Sequence, residues 1–98
     1  MNCEKLKKIY LKGIVIVDLR ANKDYQKGHI PSSINIPHTE FIIEHKKYIN
    51  SKVKYYLICD EGTVSYNVVQ MLAKYKYKLI NVVDGFDAWD GPIETSKL

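Results

Sequence analysis

Tyr55-Tyr56-Leu57-Ile58-Cys59-Asp60-Glu61-Gly62-Thr63-Val64-Ser65 changes character twice in a short span. Tyr55 to Cys59 is apolar on both faces, as in a strand buried between two layers. Asp60-Glu61-Gly62 then interrupts it with turn formers. From about Thr63, Val68, Met71, Leu72 and Tyr75 recur at spacings of three and four, the period of a helix with one inward face. Strand, tight loop and helix in direct succession form half of a βαβ unit, so a parallel sheet is expected.

The flanking sequence repeats the alternation. Upstream, Ile14 to Asp18 is a second β-branched strand, and Ile34-Asn35-Ile36 between Pro31 and Pro37 is a short third. Asn2 is placed to cap a helix carrying Leu6, Ile9 and Tyr10, which Gly13 ends. Asn22 is expected to cap one turn through Tyr25. Thr39 is expected to cap a helix with Phe41, Ile42, His45 and Ile49 on its inward stripe. Downstream, Leu79 to Val83 reads as a last strand, and Phe86 to Asp90 as a closing turn of helix before Gly91-Pro92. The expected fold class is α/β, a small parallel sheet flanked by helices on both faces, with residues 1–98 as one domain.

Composition removes several classes of function. Of 98 residues, 46% are hydrophobic and 27% charged, the balance of a folded globule rather than a disordered chain. The longest apolar run, Ile14 to Val17, is far short of the roughly 20 residues a membrane span needs. The first residues interleave Lys5, Lys7, Lys8 and Lys12 with apolar side chains and lack the apolar core of a signal peptide, so a cytoplasmic location is expected. Cys3 and Cys59 form no disulfide framework there, and His29, His38 and His45 lack zinc spacings, so no metal is implied. The net charge is +4, yet Arg20 is the only arginine, and a lysine-only surface argues against specific nucleic-acid binding. Lys74-Tyr75-Lys76-Tyr77-Lys78 alternates rings with charges, but lysines ending a helix and tyrosines leaning on the core explain it as well.

Ligands of open parallel sheets bind beyond the carboxyl ends of the strands. Two such ends carry chemistry, Asp18-Leu19-Arg20 and Cys59 to Ser65. In the second, successive amides opening a helix can point at the sulfur and hold a thiolate or a bound anion. Gly62 allows the bend, and Thr63 and Ser65 add hydroxyls. A buried, inert cysteine closing a core strand would give the same pattern, and these residues alone do not choose.

Val15-Ile16-Val17-Asp18-Leu19-Arg20, Asp24-Tyr25, Gly28-His29-Ile30-Pro31 and Ile34-Asn35-Ile36-Pro37 resemble the N-terminal signature of the rhodanese family. Tyr56-Leu57-Ile58-Cys59, Gly62, Ser65, Val82-Val83-Asp84-Gly85-Phe86-Asp87-Ala88-Trp89 and Gly91-Pro92 continue it in order. The resemblance implies a single-domain rhodanese fold and a sulfurtransferase, with Cys59 taking sulfane sulfur as a persulfide. Asp60, Glu61, Gly62, Thr63, Val64 and Ser65 would form the substrate loop, with Asp18 and Arg20 an internal pair supporting it. The implied partners are a small sulfane-sulfur donor or a protein persulfide, and a thiol acceptor, with no cofactor. A binding or regulatory module that has lost turnover is the alternative.

Departures from the family pattern bear on that choice. Strong thiosulfate enzymes commonly read C-x-x-G-x-R-S, and here the arginine position is Val64. Asp60 and Glu61 put two carboxylates beside the sulfur. At about 6 Å each would disfavour a thiolate by roughly 0.7 kcal/mol in water. The dianion thiosulfate would be repelled too. The same loop argues against a cysteine phosphatase, whose arginine fork would fall where Ser65 stands. Ser32-Ser33 replaces the usual Gly-Ala, and Asp84 a frequent Gly. His29 is expected to bond backbone, and Trp89 with Phe86 to pack the closing turn. Cys3 sits near the terminus, where fraying is expected.

Overall fold

Side chains alternate between two layers along the central strands. The computed structural model describes residues 1–96. In it Val15–Asp18 (β1) and Lys54–Ile58 (β3) pair in parallel with Val17 opposite Leu57. Ile34–Asn35 (β2) flanks β1 and Lys78–Asn81 (β4) flanks β3, giving the parallel order β2-β1-β3-β4. Val17, Tyr55 and Leu57 face one layer, with Phe41, Ile49, Val68 and Leu72. Ile16, Tyr56 and Ile58 face the other, with Cys3, Leu6, Val82 and Trp89. Period-two alternation thus buries both faces of an uninterrupted apolar strand.

The helices on the first face are His38–Ile43 (α3), His45–Tyr48 (α4) and Thr63–Met71 (α5). Cys3–Ile9 (α1) covers the second, capped by the Asn2 side chain, which accepts from the Lys5 amide. Asn22–Lys27 (α2) leads from β1 towards β2. Beyond the sheet, residues Phe86–Ala88 make a 3-10 turn, shorter than the closing helix expected from sequence.

Several local expectations give way to tertiary ties. Asn22 caps nothing; its amide donates to Asn35 Oδ1 on β2, and Ala21 holds the cap position. Thr39 is not a cap either, because the helix starts directly after Pro37, whose fixed φ suits a helix start. The single helix expected there breaks at Glu44, although Phe41, His45 and Ile49 still share the buried side. Met71 was expected inward and is 57% exposed, since Val68 and Leu72 already fill that stripe. Lys74 to Lys78 lies past the end of α5, so its lysines complete no helical turn. Tyr75 and Tyr77 do lean on the core, where the Tyr77 hydroxyl meets His45 Nδ1 at 2.6 Å.

The order β2-β1-β3-β4 sends the chain to opposite sides after β1 and after β3. The crevice of such a sheet opens between those two carboxyl ends. Asp18 and Cys59 lie there.

Candidate functional site

Cys59 follows the last residue of β3, with its side chain 4% exposed. The chain turns back over it at Gly62, so two backbone amides converge on the sulfur. Gly62 N–H donates to Cys59 Sγ at 3.1 Å and Ser65 N–H at 3.3 Å, while Ser65 Oγ lies at 3.2 Å. Gly62 caps α5 and Ser65 lies in its first turn, where amides have no partner within the helix. Of the successive amides expected to point at the sulfur, those of Gly62 and Ser65 are the ones that reach it.

Backbone packing forces this loop's shape. Gly62 has φ +90°, and a Cβ there would stand 2.0 Å from the carbonyl oxygen of Val83. Gly85, at φ +69°, backs the loop the same way, its missing Cβ 2.3 Å from the Asp60 carbonyl. Phe86 N–H donates to Cys59 O at 2.7 Å and Asp87 N–H to Asp60 O at 3.0 Å. The segment after β4 therefore holds the strand end and the loop together. The aligned Val82 to Trp89 motif hinted at this role, but nothing in its spacing named the contacts.

Asn81, the last residue of β4, was not singled out by sequence. Its Oδ1 accepts from Ser65 Oγ, and its Nδ2 donates to Gly62 O at 3.4 Å. Only the register of β4 against β3 could have placed it beside the loop.

Asp18 and Arg20 form the internal pair expected of them. The guanidinium donates through Nε and Nη2 to the carboxylate, at 2.8 Å for the Nη2 contact, and Nη2 also donates to Gly28 O. Both side chains are buried, and the guanidinium stacks 4.1 Å from the Phe86 ring centroid. A buried pair tied in addition to the Gly28 carbonyl is a rigid strut. His29 Nδ1 lies 2.7 Å from the Tyr25 carbonyl with its ring stacked on Tyr25, a backbone-bonding role. Trp89 packs edge-on against Tyr10 and donates to Pro92 O.

Cys59, Asp60, Glu61, Thr63 and Val64 line an open cleft of about 220 Å³. That volume suits a small anion or the tip of a thiol rather than a large cofactor. Burial raises the Asp60 carboxyl above its ordinary value, Arg20 opposes the rise, and Asp87, Asp24 and Asp18 add to it. Two carboxylates, Asp60 and Glu61, thus border the cleft, as the sequence suggested.

Cys3 departs from its expected place. It is 3% exposed, its thiol donates to Gly85 O at 3.0 Å, and its amide donates to Asp84 Oδ1. Burial, with Asp84 and Asp90 nearby, pushes the Cys3 thiol up to about 12. The Val83 amide donates to Met1 O, so the start of the chain is clasped to the segment behind the Cys59 loop. This clasp, not fraying, is the state of the terminus.

Comparison with known proteins bears on the family and the fold. Residues 2–91 match the family model described as Rhodanese-like domain. The chain is 34% identical over 80 residues to the "Putative sulfur carrier protein YrkF" of Bacillus subtilis, covering 81% of this chain and 43% of that protein. It thus spans less than half the length of that relative. It is 30% identical over 78 residues to the "Putative sulfurtransferase YtwF" of the same organism, covering 80% of this chain and 75% of that one. Among solved structures, a rhodanese-like domain protein from Staphylococcus aureus superposes with a TM-score of 0.87 at 28% identity, over 99% of this chain and 97% of that one. The α/β fold and its parallel sheet are those of that neighbour.

Proposed function

The chain belongs to the rhodanese-like domain family, and from that premise we propose that it is a sulfurtransferase carrying sulfane sulfur on Cys59. The observation that carries the reading is the convergence of the Gly62 and Ser65 amides on Cys59 Sγ. Two N–H dipoles at a helix start favour a negative sulfur, which an inert core cysteine has no use for.

In the proposed cycle the Cys59 thiolate attacks the outer sulfur of a donor R–S–S⁻. The donor's S–S bond breaks and R–S⁻ leaves with its electron pair. Cys59 now bears a persulfide, whose outer sulfur enters the cleft lined by Glu61, Thr63 and Val64. An acceptor thiolate attacks that outer sulfur, and the Cys59 thiolate departs as the leaving group. No external base is needed once the thiolate exists. Asp18 and Arg20 take no part in bond making; they hold Phe86, whose amide fixes Cys59 O. Donors are small sulfane compounds or protein persulfides, and acceptors are thiols. A reducing cytoplasm suits two free thiols, and among the described residues no helix is long and apolar enough to cross a membrane.

Val64 at the arginine position, with Asp60 and Glu61 at the cleft, favours a second reading, a binding module without turnover. Intact-mass measurement after exposure to several sulfane donors separates the two. A 32-dalton adduct located on Cys59 supports the carrier; no adduct with any donor supports the module.

A further inference from the structure

The Ser65 hydroxyl has one proton and three neighbours that could use it. Its oxygen lies 3.2 Å from Cys59 Sγ, 3.2 Å from Gly62 O, and in a short hydrogen bond with Asn81 Oδ1. Ser65 is fully buried, so water does not settle the competition. Gly62 O and Asn81 Oδ1 can only accept, whereas sulfur donates as a thiol and accepts as a thiolate.

As a thiol, Cys59 S–H donates to Ser65 Oγ, Ser65 O–H donates to Asn81 Oδ1, and Asn81 Nδ2 donates to Gly62 O. Every group is satisfied. As a thiolate, the sulfur needs the Ser65 proton, and Asn81 holds it. Turning the hydroxyl towards sulfur leaves an Asn81 oxygen facing a Ser65 lone pair at close range. The carboxamide must then rotate, so that Nδ2–H donates to Ser65 Oγ while Ser65 O–H donates to sulfur. That rotation gives up the Nδ2 bond to Gly62 O.

We propose that Asn81 is a positioning residue whose carboxamide orientation directs the Ser65 proton, and through it sets whether Cys59 rests as thiol or thiolate. The inference rests on Cys59 being the nucleophile proposed above. Asn81 keeps the Ser65 proton in one amide orientation and releases it to sulfur in the other.

The test is a pH titration of protein labelled with ¹³C at cysteine Cβ, followed by NMR and assigned with Cys59→Ser. It needs no sulfur donor and no access of a reagent to the buried sulfur. Asn81→Ala removes the nearer of the two competing acceptors and should lower the Cys59 titration midpoint by about one pH unit, a tenfold gain in thiolate at neutral pH. Asn81→Asp keeps the acceptor, adds charge, and should move the midpoint up. In a Ser65→Ala background the Asn81→Ala effect should vanish, because no hydroxyl remains to direct. Amide spectra check folding, and Asn81→Val, suited to a strand, replaces Asn81→Ala if that variant unfolds. An unchanged or raised midpoint in the alanine or valine variant overturns the proposal, as does a shift that persists without Ser65. Failure of sulfur loading with these shifts intact would instead count against the sulfurtransferase reading alone.

Discussion

Cys3 and Cys59 are joined through one peptide group. The Cys3 thiol donates to Gly85 O at 3.0 Å, and Phe86 N–H, the other end of the same peptide, donates to Cys59 O at 2.7 Å. One cysteine thus supports the backbone from which the other presents its sulfur. The supporting thiol must keep its proton to donate, consistent with its rise to about 12.

The first prediction separates the two thiols. Cys59→Ser should abolish the 32-dalton adduct, while Cys3→Ser, which keeps a donor towards Gly85 O, should load nearly as well as the parent. Equal losses in both would show a cysteine pair at work and reject a single nucleophile.

The second concerns pH. Cys3 ionises near 9 when unfolded and near 12 when folded, so the unfolded chain binds fewer protons between those values. Its stabilising effect is whole below about pH 9 and declines as pH rises towards 12. The slope is at most about 1.4 kcal/mol per pH unit, less where solvent screens Asp84 and Asp90. Denaturant titrations at pH 8 and 10.5 should show the parent losing more stability than Cys3→Ala. Parallel losses would remove Cys3 as the cause.

A third prediction follows from Gly62. A side chain there meets the Val83 backbone and sits at φ +90°, so Gly62→Val should lose both loading and stability, the latter by about 3 kcal/mol. Thermal unfolding measures it. A variant that folds as well as the parent yet cannot load would mean that the glycine serves the sulfur alone.

The fourth addresses the two carboxylates at the cleft. Val64→Arg combined with Asp60→Asn and Glu61→Gln should raise thiosulfate kcat/KM by about tenfold or more, since a guanidinium–anion contact is worth roughly 1.5–3 kcal/mol. Measuring at low and moderate salt distinguishes contact from long-range attraction. No gain would show that anion repulsion does not limit the protein and would favour the binding module.

The fifth is a backbone test remote from the sulfur. Ser32 occupies φ +73°, a left-handed conformation costly for a residue with a Cβ. Ser32→Gly should stabilise the fold by about 0.5–1 kcal/mol after the entropy of an unfolded glycine is counted. A lower melting temperature would show that the Ser32 hydroxyl, 3.4 Å from Tyr10 O, outweighs the strain.

What the sequence revealed follows the range of the interactions involved. Apolar strands, the α5 period and the Cys59-to-Ser65 loop are local patterns, and they placed the sheet and the strand–loop–helix turn around Cys59 correctly. Asp18 and Arg20, two residues apart, could be paired from sequence because their partnership is equally local. Asn81 and the 83–87 segment touch the loop only through the pairing of β3 with β4. Cys3 meets Gly85 across nearly the whole chain, and no periodicity records such a contact. The caps assigned to Asn22 and Thr39 failed because side-chain ties to β2 and the geometry of Pro37 outranked local preference.

The Cys59 loop is held by backbone groups: amides of Gly62 and Ser65 on sulfur, amides of Phe86 and Asp87 on the carbonyls of Cys59 and Asp60. Side chains at positions 60, 61, 63 and 64 border the cleft without entering that framework. Backbone atoms therefore fix where the sulfur sits, while rim side chains of the same short segment face whatever approaches it. A library randomised at those four positions should retain its scaffold in most members while varying the partner it prefers, a modular arrangement in which new donors are reached by repainting the rim.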